Sequence, residues 1–130
     1  MFFYALRGAT TVDTNNSEEI ILRTKELLLE VIKKNCLDND QIVSIIFTAT
    51  TDLDAVYPAV AARELGMNGV PLICCQEMYT ANSLPMCIRM LIHVRSICDV
   101  KPLHVYLRDA ISLRPDLAVN NDVVEGSSIA

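Results

Sequence analysis

Cys87-Ile88-Arg89-Met90-Leu91-Ile92-His93-Val94-Arg95 alternates with a period of two residues. Ile88, Met90, Ile92 and Val94 share one face of an extended chain, while Cys87, Arg89, Leu91, His93 and Arg95 share the other. The alternation predicts a strand over residues 87–95, entered at Pro85. It also sets a charged group, Arg89, inside an apolar run, where it is costly unless something pairs with it.

Three further polar residues break or close strand-like runs far away in the chain. Arg7 ends Phe2-Phe3-Tyr4-Ala5-Leu6, Tyr106 sits within His104-Val105-Tyr106-Leu107, and Glu77 closes Val70-Pro71-Leu72-Ile73-Cys74-Cys75-Gln76. Two guanidinium groups, a carboxylate and a phenol in such places suggest a site for a small, multiply anionic, hydroxyl-bearing ligand. Each also has a plainer reading. Arg7 can serve a surface ion pair, Glu77 and Arg89 can pair to stabilise the fold alone, and Tyr106 and Cys74 can be core residues.

Outward from this strand, residues 2–7 read as a first strand with Phe3, Ala5 and Arg7 on one face. Asn16 or Ser17 can cap a helix whose first turn carries Glu18 and Glu19, where the helix dipole favours anions. Ile20, Ile21, Thr24, Leu27, Leu28, Val31 and Ile32 recur at helical spacing, Lys33 and Lys34 suit the last turn, and Asn35 can end it. Residues 42–47 are β-branched and apolar, a second strand; a short helix from Tyr57 to Leu65, with Pro58 in its first turn, stops at Gly66. Residues 70–75 and 104–108 complete the strands. The expectation is an α+β (α/β-like) fold, a mixed sheet of about five strands with two main helices. It forms a single domain over residues 1–117, followed by a flexible tail over 118–130.

The chain has 130 residues, enough to bury a core without disulfides or metals. Aliphatic residues must supply that core, because aromatics are 5% and Trp is absent. A net charge of −5 argues against a nucleic-acid or anionic-membrane surface, although a few arginines can still converge on an anion. Cys36, Cys74, Cys75, Cys87 and Cys98 are odd in number and scattered, as reduced cysteines of a cytoplasmic protein are, and with two histidines they give no metal-ligand spacing. The N-terminal apolar run lacks the features of a signal peptide, and no stretch reaches transmembrane length. Four glycines leave little room for a phosphate loop or dinucleotide fingerprint, and no serine lies in a nucleophile-elbow context. What remains is a cationic, hydrogen-bonding pocket without a nucleophile, suited to electrostatic catalysis or anion binding.

In these residues the chain resembles the monofunctional AroH-type chorismate mutases, the trimeric α/β class. The likeness runs from about residue 4 to residue 117 in ordered blocks. They are Arg7-Gly8-Ala9-Thr10-Thr11-Val12, Thr48-Ala49-Thr50 with Asp52-Leu53, Tyr57-Pro58-Ala59 with Arg63-Glu64-Leu65, and Val70-Pro71. After these come Gln76-Glu77-Met78, Cys87-Ile88-Arg89, His104-Val105-Tyr106-Leu107 and Leu113-Arg114-Pro115-Asp116-Leu117. The resemblance implies a homotrimer with a pseudo-α/β barrel and active sites at the subunit interfaces. The reaction implied is the pericyclic rearrangement of chorismate to prephenate, on the way to phenylalanine and tyrosine, without cofactor, proton transfer or covalent intermediate.

It also implies roles. Arg89 would face the ether oxygen as its bond breaks, Glu77 would accept a hydrogen bond from the ring hydroxyl, and Cys74 would lie beside that hydroxyl. Arg7 and Tyr106 would hold the carboxylate side, and Ile73, Cys74, Cys75, Gln76 and Glu77 would line the pocket. Tyr57, Ala59 and Arg63 would come from the neighbouring subunit, and Leu113 with the following tail would cover the site. The chain departs from the family at Val60, where lysine is common, at Ile73, where threonine is common, and mildly at Tyr57, where phenylalanine is commoner. Both larger departures touch the rim, so they bear on affinity more than on chemistry. Strand parity aligns Glu77 with Cys75, so Cys74 and Glu77 share one pocket only through a twist or bulge. Two other readings remain on the sequence: a deaminase-like small trimer, and a non-catalytic binder of aromatic-pathway acids.

Overall fold

A computed structural model describes residues 1–116. Leu117 and the tail expected to be flexible lie outside the described residues. The strands are β1 (Phe2–Thr11), β2 (Ile42–Ala49), β3 (Leu72–Gln76), β4 (Cys87–Ser96) and β5 (Val105–Tyr106). Helix α1 spans Ser17–Lys34 and α2 spans Ala59–Glu64, with short 3-10 helices at Asn39–Gln41 and Arg108–Leu113. The strands form one sheet in the order β3-β2-β4-β1-β5. It is mixed: β4 runs antiparallel to β1 and β2, while β2 pairs parallel with β3 and β1 parallel with β5.

The alternation of β4 decides which side is which. Met90, Ile92 and Val94 are buried with Leu6, Ile45 and Phe47 from the neighbouring strands, under Leu27, Leu28 and Val31 of α1 and Ala59, Ala61 and Ala62 of α2. Burying one such aliphatic side chain stabilises by about 1.5–3 kcal/mol, so this single apolar layer carries the fold. Both helices lie on that face. The other face, bearing Arg89, Leu91 and His93, carries neither α1 nor α2; the 3-10 helix Arg108–Leu113 packs on its Ala9 end through Ala110.

Helix α1 starts where its caps predict. The Asn16 side chain accepts a hydrogen bond from the Glu19 amide at 2.8 Å. The Glu19 carboxylate reaches back to accept from the Asp13 and Thr14 amides, each at 2.9 Å, and from the Thr14 hydroxyl at 2.8 Å. These donors, led by the Asp13 amide, pull its carboxyl down to about 2. At the other end Asn35 donates to the Leu103 carbonyl and accepts from the Leu103 amide, both at 2.9 Å, which ties the helix end to the segment entering β5.

The boundaries differ where local pattern is weakest. β1 continues past Arg7 through Gly8 to Thr11, because Gly8 is a packing glycine and not a turn. A Cβ there would lie 3.2 Å from Met90 and 3.3 Å from Leu27, so its absence lets α1 settle on the sheet. β5 is two residues long instead of five, since Arg108 takes φ 53° and turns the chain into a 3-10 helix that the sequence pattern did not predict. β2 extends to Ala49, with a register shift between Ile42 and Ser44, while β3 begins at Leu72. α2 is shorter than expected, with Pro58 as its cap, and Gly66 ends it at φ +89° as predicted.

The Glu19 contacts make a specific prediction. Glu19→Gln lowers the thermal stability of the chain at neutral pH. The depressed folded pKa contributes stability above about pH 4.5 that is lost as pH falls toward about 2, so the two melting curves converge on acidification. Melting temperatures that differ equally at neutral and acid pH contradict this.

Candidate active site

Five residues from five strands fall on one cross-sheet row. Cys75 pairs with Thr48, Thr48 with Arg89, Arg89 with Ala9, and Ala9 with Tyr106. Directly opposed residues project to the same side, here the face that α1 and α2 leave uncovered. The next row on this face holds Ile73, Ile46, Leu91 and Arg7. Residues scattered over a hundred positions of sequence are thus brought into two adjacent rows.

Glu77 follows the end of β3, and its amide continues the ladder by donating to the Ala49 carbonyl at 2.9 Å. Its carboxylate turns onto the open face. There the Arg89 Nε–H donates to Oε2 at 3.0 Å, with Oε1 also within ion-pair distance, and the Thr48 hydroxyl donates to Oε1 at 3.0 Å. Arg89 is 40% exposed and Glu77 14%, so the pair contributes little stability through charge alone. Its geometry matters more. Arg89 engages the carboxylate through Nε and pairs with no second carboxylate among the described residues. Behind it Cys87 is fully buried, and burial pushes its thiol up to about 11 despite the neighbouring Arg89 cation, so it is an inert packing group.

Small side chains leave room beside Arg89. Ala9 separates it from Tyr106, and Ala110, Cys87 and Leu113 pack around Ala9. The Arg114 guanidinium lies 6.0 Å from the centre of the Tyr106 ring and grips Asp116 at 3.1 and 3.2 Å. Arg7 presents its amide to His104 Nδ1 at 3.0 Å. Nδ1 is therefore an acceptor, and the ring is neutral with its proton on Nε2. Burial, followed by the Arg7 and Arg114 charges, holds the His104 pKa below its usual value.

The remaining expected site residues lie elsewhere. Cys74 points to the helix side, packed against the core, where burial raises its thiol pKa while the Ala59 amide and the Arg63 charge act weakly against that. Tyr57, Pro58, Cys74, Cys75 and Gln76 line a cleft of ≈ 550 Å³. Tyr57 is 71% exposed, and Val60 sits on α2 beside Ala59. β3 keeps continuous register with β2, so no bulge brings Cys74 beside Glu77 within one chain. The expected residues form two groups. Arg7, Ile73, Cys75, Glu77, Arg89, Tyr106 and Leu113 belong to the open face, while Tyr57, Ala59, Arg63, Cys74 and Gln76 belong to the opposite side of the β3 edge.

Two residues were not singled out from the sequence. Arg114 gave a signal, an arginine next to Leu113 in a recognisable block, but only the fold places it over Tyr106. Thr48 also stands in a recognisable block, Thr48-Ala49-Thr50, but a threonine closing a β-branched run looks like any other strand residue.

Comparison with known proteins agrees with this geometry. The chorismate mutase type I family model matches residues 3–117. The chain is 40% identical over 124 residues to chorismate mutase AroH of Bacillus subtilis, covering 94% of this chain and 98% of that one. It is 41% identical over 114 residues to chorismate mutase AroH of Thermus thermophilus, covering 86% and 93%. A solved chorismate mutase from Clostridium thermocellum superposes with a TM-score of 0.81 at 47% identity, over 84% of this chain and 98% of that one. The chain belongs to the chorismate mutase type I family. As such it is an isomerase.

The His104 contact predicts a pH dependence of stability. A folded pKa below about 6.5 means that the unfolded chain takes up a proton which the fold refuses, so stability is full above that pH and declines below it. His104→Gln flattens this decline between about pH 7 and pH 5 relative to wild type, read from thermal melts. Parallel melting-point profiles for the two proteins contradict it.

Proposed function

We propose that this chain rearranges chorismate to prephenate by electrostatic preorganisation and conformational restraint, without covalent or acid–base steps. The observation that carries the reading is the Arg89–Glu77 arrangement: a guanidinium anchored through Nε on an open, polar-rimmed sheet face, with its terminal nitrogens directed to no other carboxylate among the described residues. Breaking the ether bond builds negative charge on oxygen. A donor already in place there lowers the barrier by about 3–4 kcal/mol, more when the donor is a full charge in a dry site. Glu77 accepts one N–H on Oε2 and one hydroxyl on Oε1, so carboxylate lone pairs are left for the ring hydroxyl of the substrate. Arg7 and Tyr106 hold the carboxylate side in the compact conformer, which supplies the orientation part of the rate.

A shared site explains the two groups of residues. We propose a homotrimer in which Tyr57, Ala59, Arg63 and Cys74 of one subunit complete the face carrying Arg7, Glu77, Arg89 and Tyr106 of the next. Ile73, Ile46 and Leu91 form an apolar row on the sheet face that α1 and α2 leave uncovered, and Ile73 alone is 57% exposed. A second copy is the natural cover for such a surface. Leu113 would close one side of the site. The protein would act in the cytoplasm as the branch step toward phenylalanine and tyrosine. Among the described residues no helix is long and apolar enough to cross a membrane. Membership of the family sets the deaminase-like reading aside.

The test is the ultraviolet decay of chorismate with prephenate confirmed as product. Wild type accelerates it at a rate roughly flat across neutral pH, since no group must ionise in the step; a bell-shaped profile centred near neutrality argues for acid–base catalysis instead. Arg89→Ala lowers kcat by at least about 10²–10³-fold, and Arg89→Lys remains well below wild type because it loses the planar fork. Binding of prephenate without turnover would make the chain a non-catalytic binder. Activity should also fall on dilution in step with dissociation seen by light scattering, and a fully active monomer rules out a shared site.

A further inference from the structure

We infer that Thr48 is a positioning residue for this reaction, acting through Glu77. The inference rests on the proposed rearrangement and adds a residue to it. Glu77 lies beyond the last residue of β3, on a stretch continuing into Met78 and Tyr79, which are 81% and 74% exposed. Packing from that side therefore does little to hold its side chain. Arg89 does not fix its orientation either. A single N–H donated to Oε2 at 3.0 Å leaves the carboxylate free to turn about that hydrogen bond. The Thr48 hydroxyl removes that freedom by claiming Oε1 at 3.0 Å.

Thr48 is well placed to do so. It stands between Cys75 and Arg89 on the same row, one residue before the end of β2, with its backbone held by ladders on both sides. A β-branched side chain on a strand has few rotamers, so its hydroxyl is a stiff donor. With Oε1 engaged by Thr48, Oε2 is left facing the Arg89 Nε–H, and the position of the Arg89 plane is set with it. Thr48 touches no substrate in this account. It determines where the two groups that do so are held.

A double-mutant cycle tests this. Removing the hydroxyl in Thr48→Val lowers kcat/KM for chorismate by about ten-fold, in line with losing a hydrogen bond to a charged group, and Thr48→Ser restores most of it. In a Glu77→Ala background the same Thr48→Val change has less than about a two-fold effect, because the group it positions is gone. A residue needed only for folding would cost the same factor in both backgrounds. Equal losses in the two backgrounds, or no loss on removing the hydroxyl from the otherwise native chain, overturn the inference. Should Thr48→Val not fold, as judged by circular dichroism, Thr48→Ala makes the same deletion. A wild type that fails to convert chorismate overturns the proposed function itself, a result distinct from an additive cycle in an active enzyme.

Discussion

The fold and site both depend on the register of β4 between β1 and β2. Ile88, Met90, Ile92 and Val94 face the helices, and each is almost wholly buried. Because the side-chain period of a strand is two, a slip of one residue would expose all four and drive Arg89 under the helices without a partner. Burial of those side chains therefore does two things at once. It holds the sheet together, and it sets the guanidinium on the opposite face, at the level of Thr48 and Ala9.

That dependence explains why the fold was largely legible from sequence. Alternation over residues 87–95 and helical spacing over residues 17–34 are patterns imposed by burial on one side, and both elements lie within a residue of their expected ends. β3 was expected two residues early because Val70-Pro71 continues its apolar run, and β5 was overestimated because the alternation of residues 104–108 extends beyond the two residues that pair in register with β1. The end of β1 was missed because Gly8 looks like a turn residue until the closeness of Leu27 and Met90 is known. The 3-10 helix over Arg108–Leu113 has no period long enough to show in a sequence.

The site was legible in part for the same reason. Arg89, Glu77, Arg7 and Tyr106 each interrupt an apolar run, and an interruption that a fold must accommodate is visible without coordinates. Thr48 and Arg114 interrupt nothing, so they were not. The family resemblance supplied Cys74, Tyr57 and Arg63, and the structure adds that they belong to the other side of the β3 edge. Parity alone had already placed Cys75, not Cys74, in line with Glu77.

The row from Cys75 to Tyr106 has a consequence for how such a protein can change over time. Neighbouring strands in a sheet stand about 4.8 Å apart, and that spacing belongs to the peptide hydrogen bond, not to any side chain. Arg89 and Tyr106, two strands apart, are therefore held roughly 10 Å from one another at the backbone by a ruler that mutation cannot stretch. Substitution can change what each mark on the ruler carries, as at Ile73 on the neighbouring row, but not the interval between marks. A lineage built on this lattice drifts readily in affinity and only with difficulty in the size of molecule it accepts.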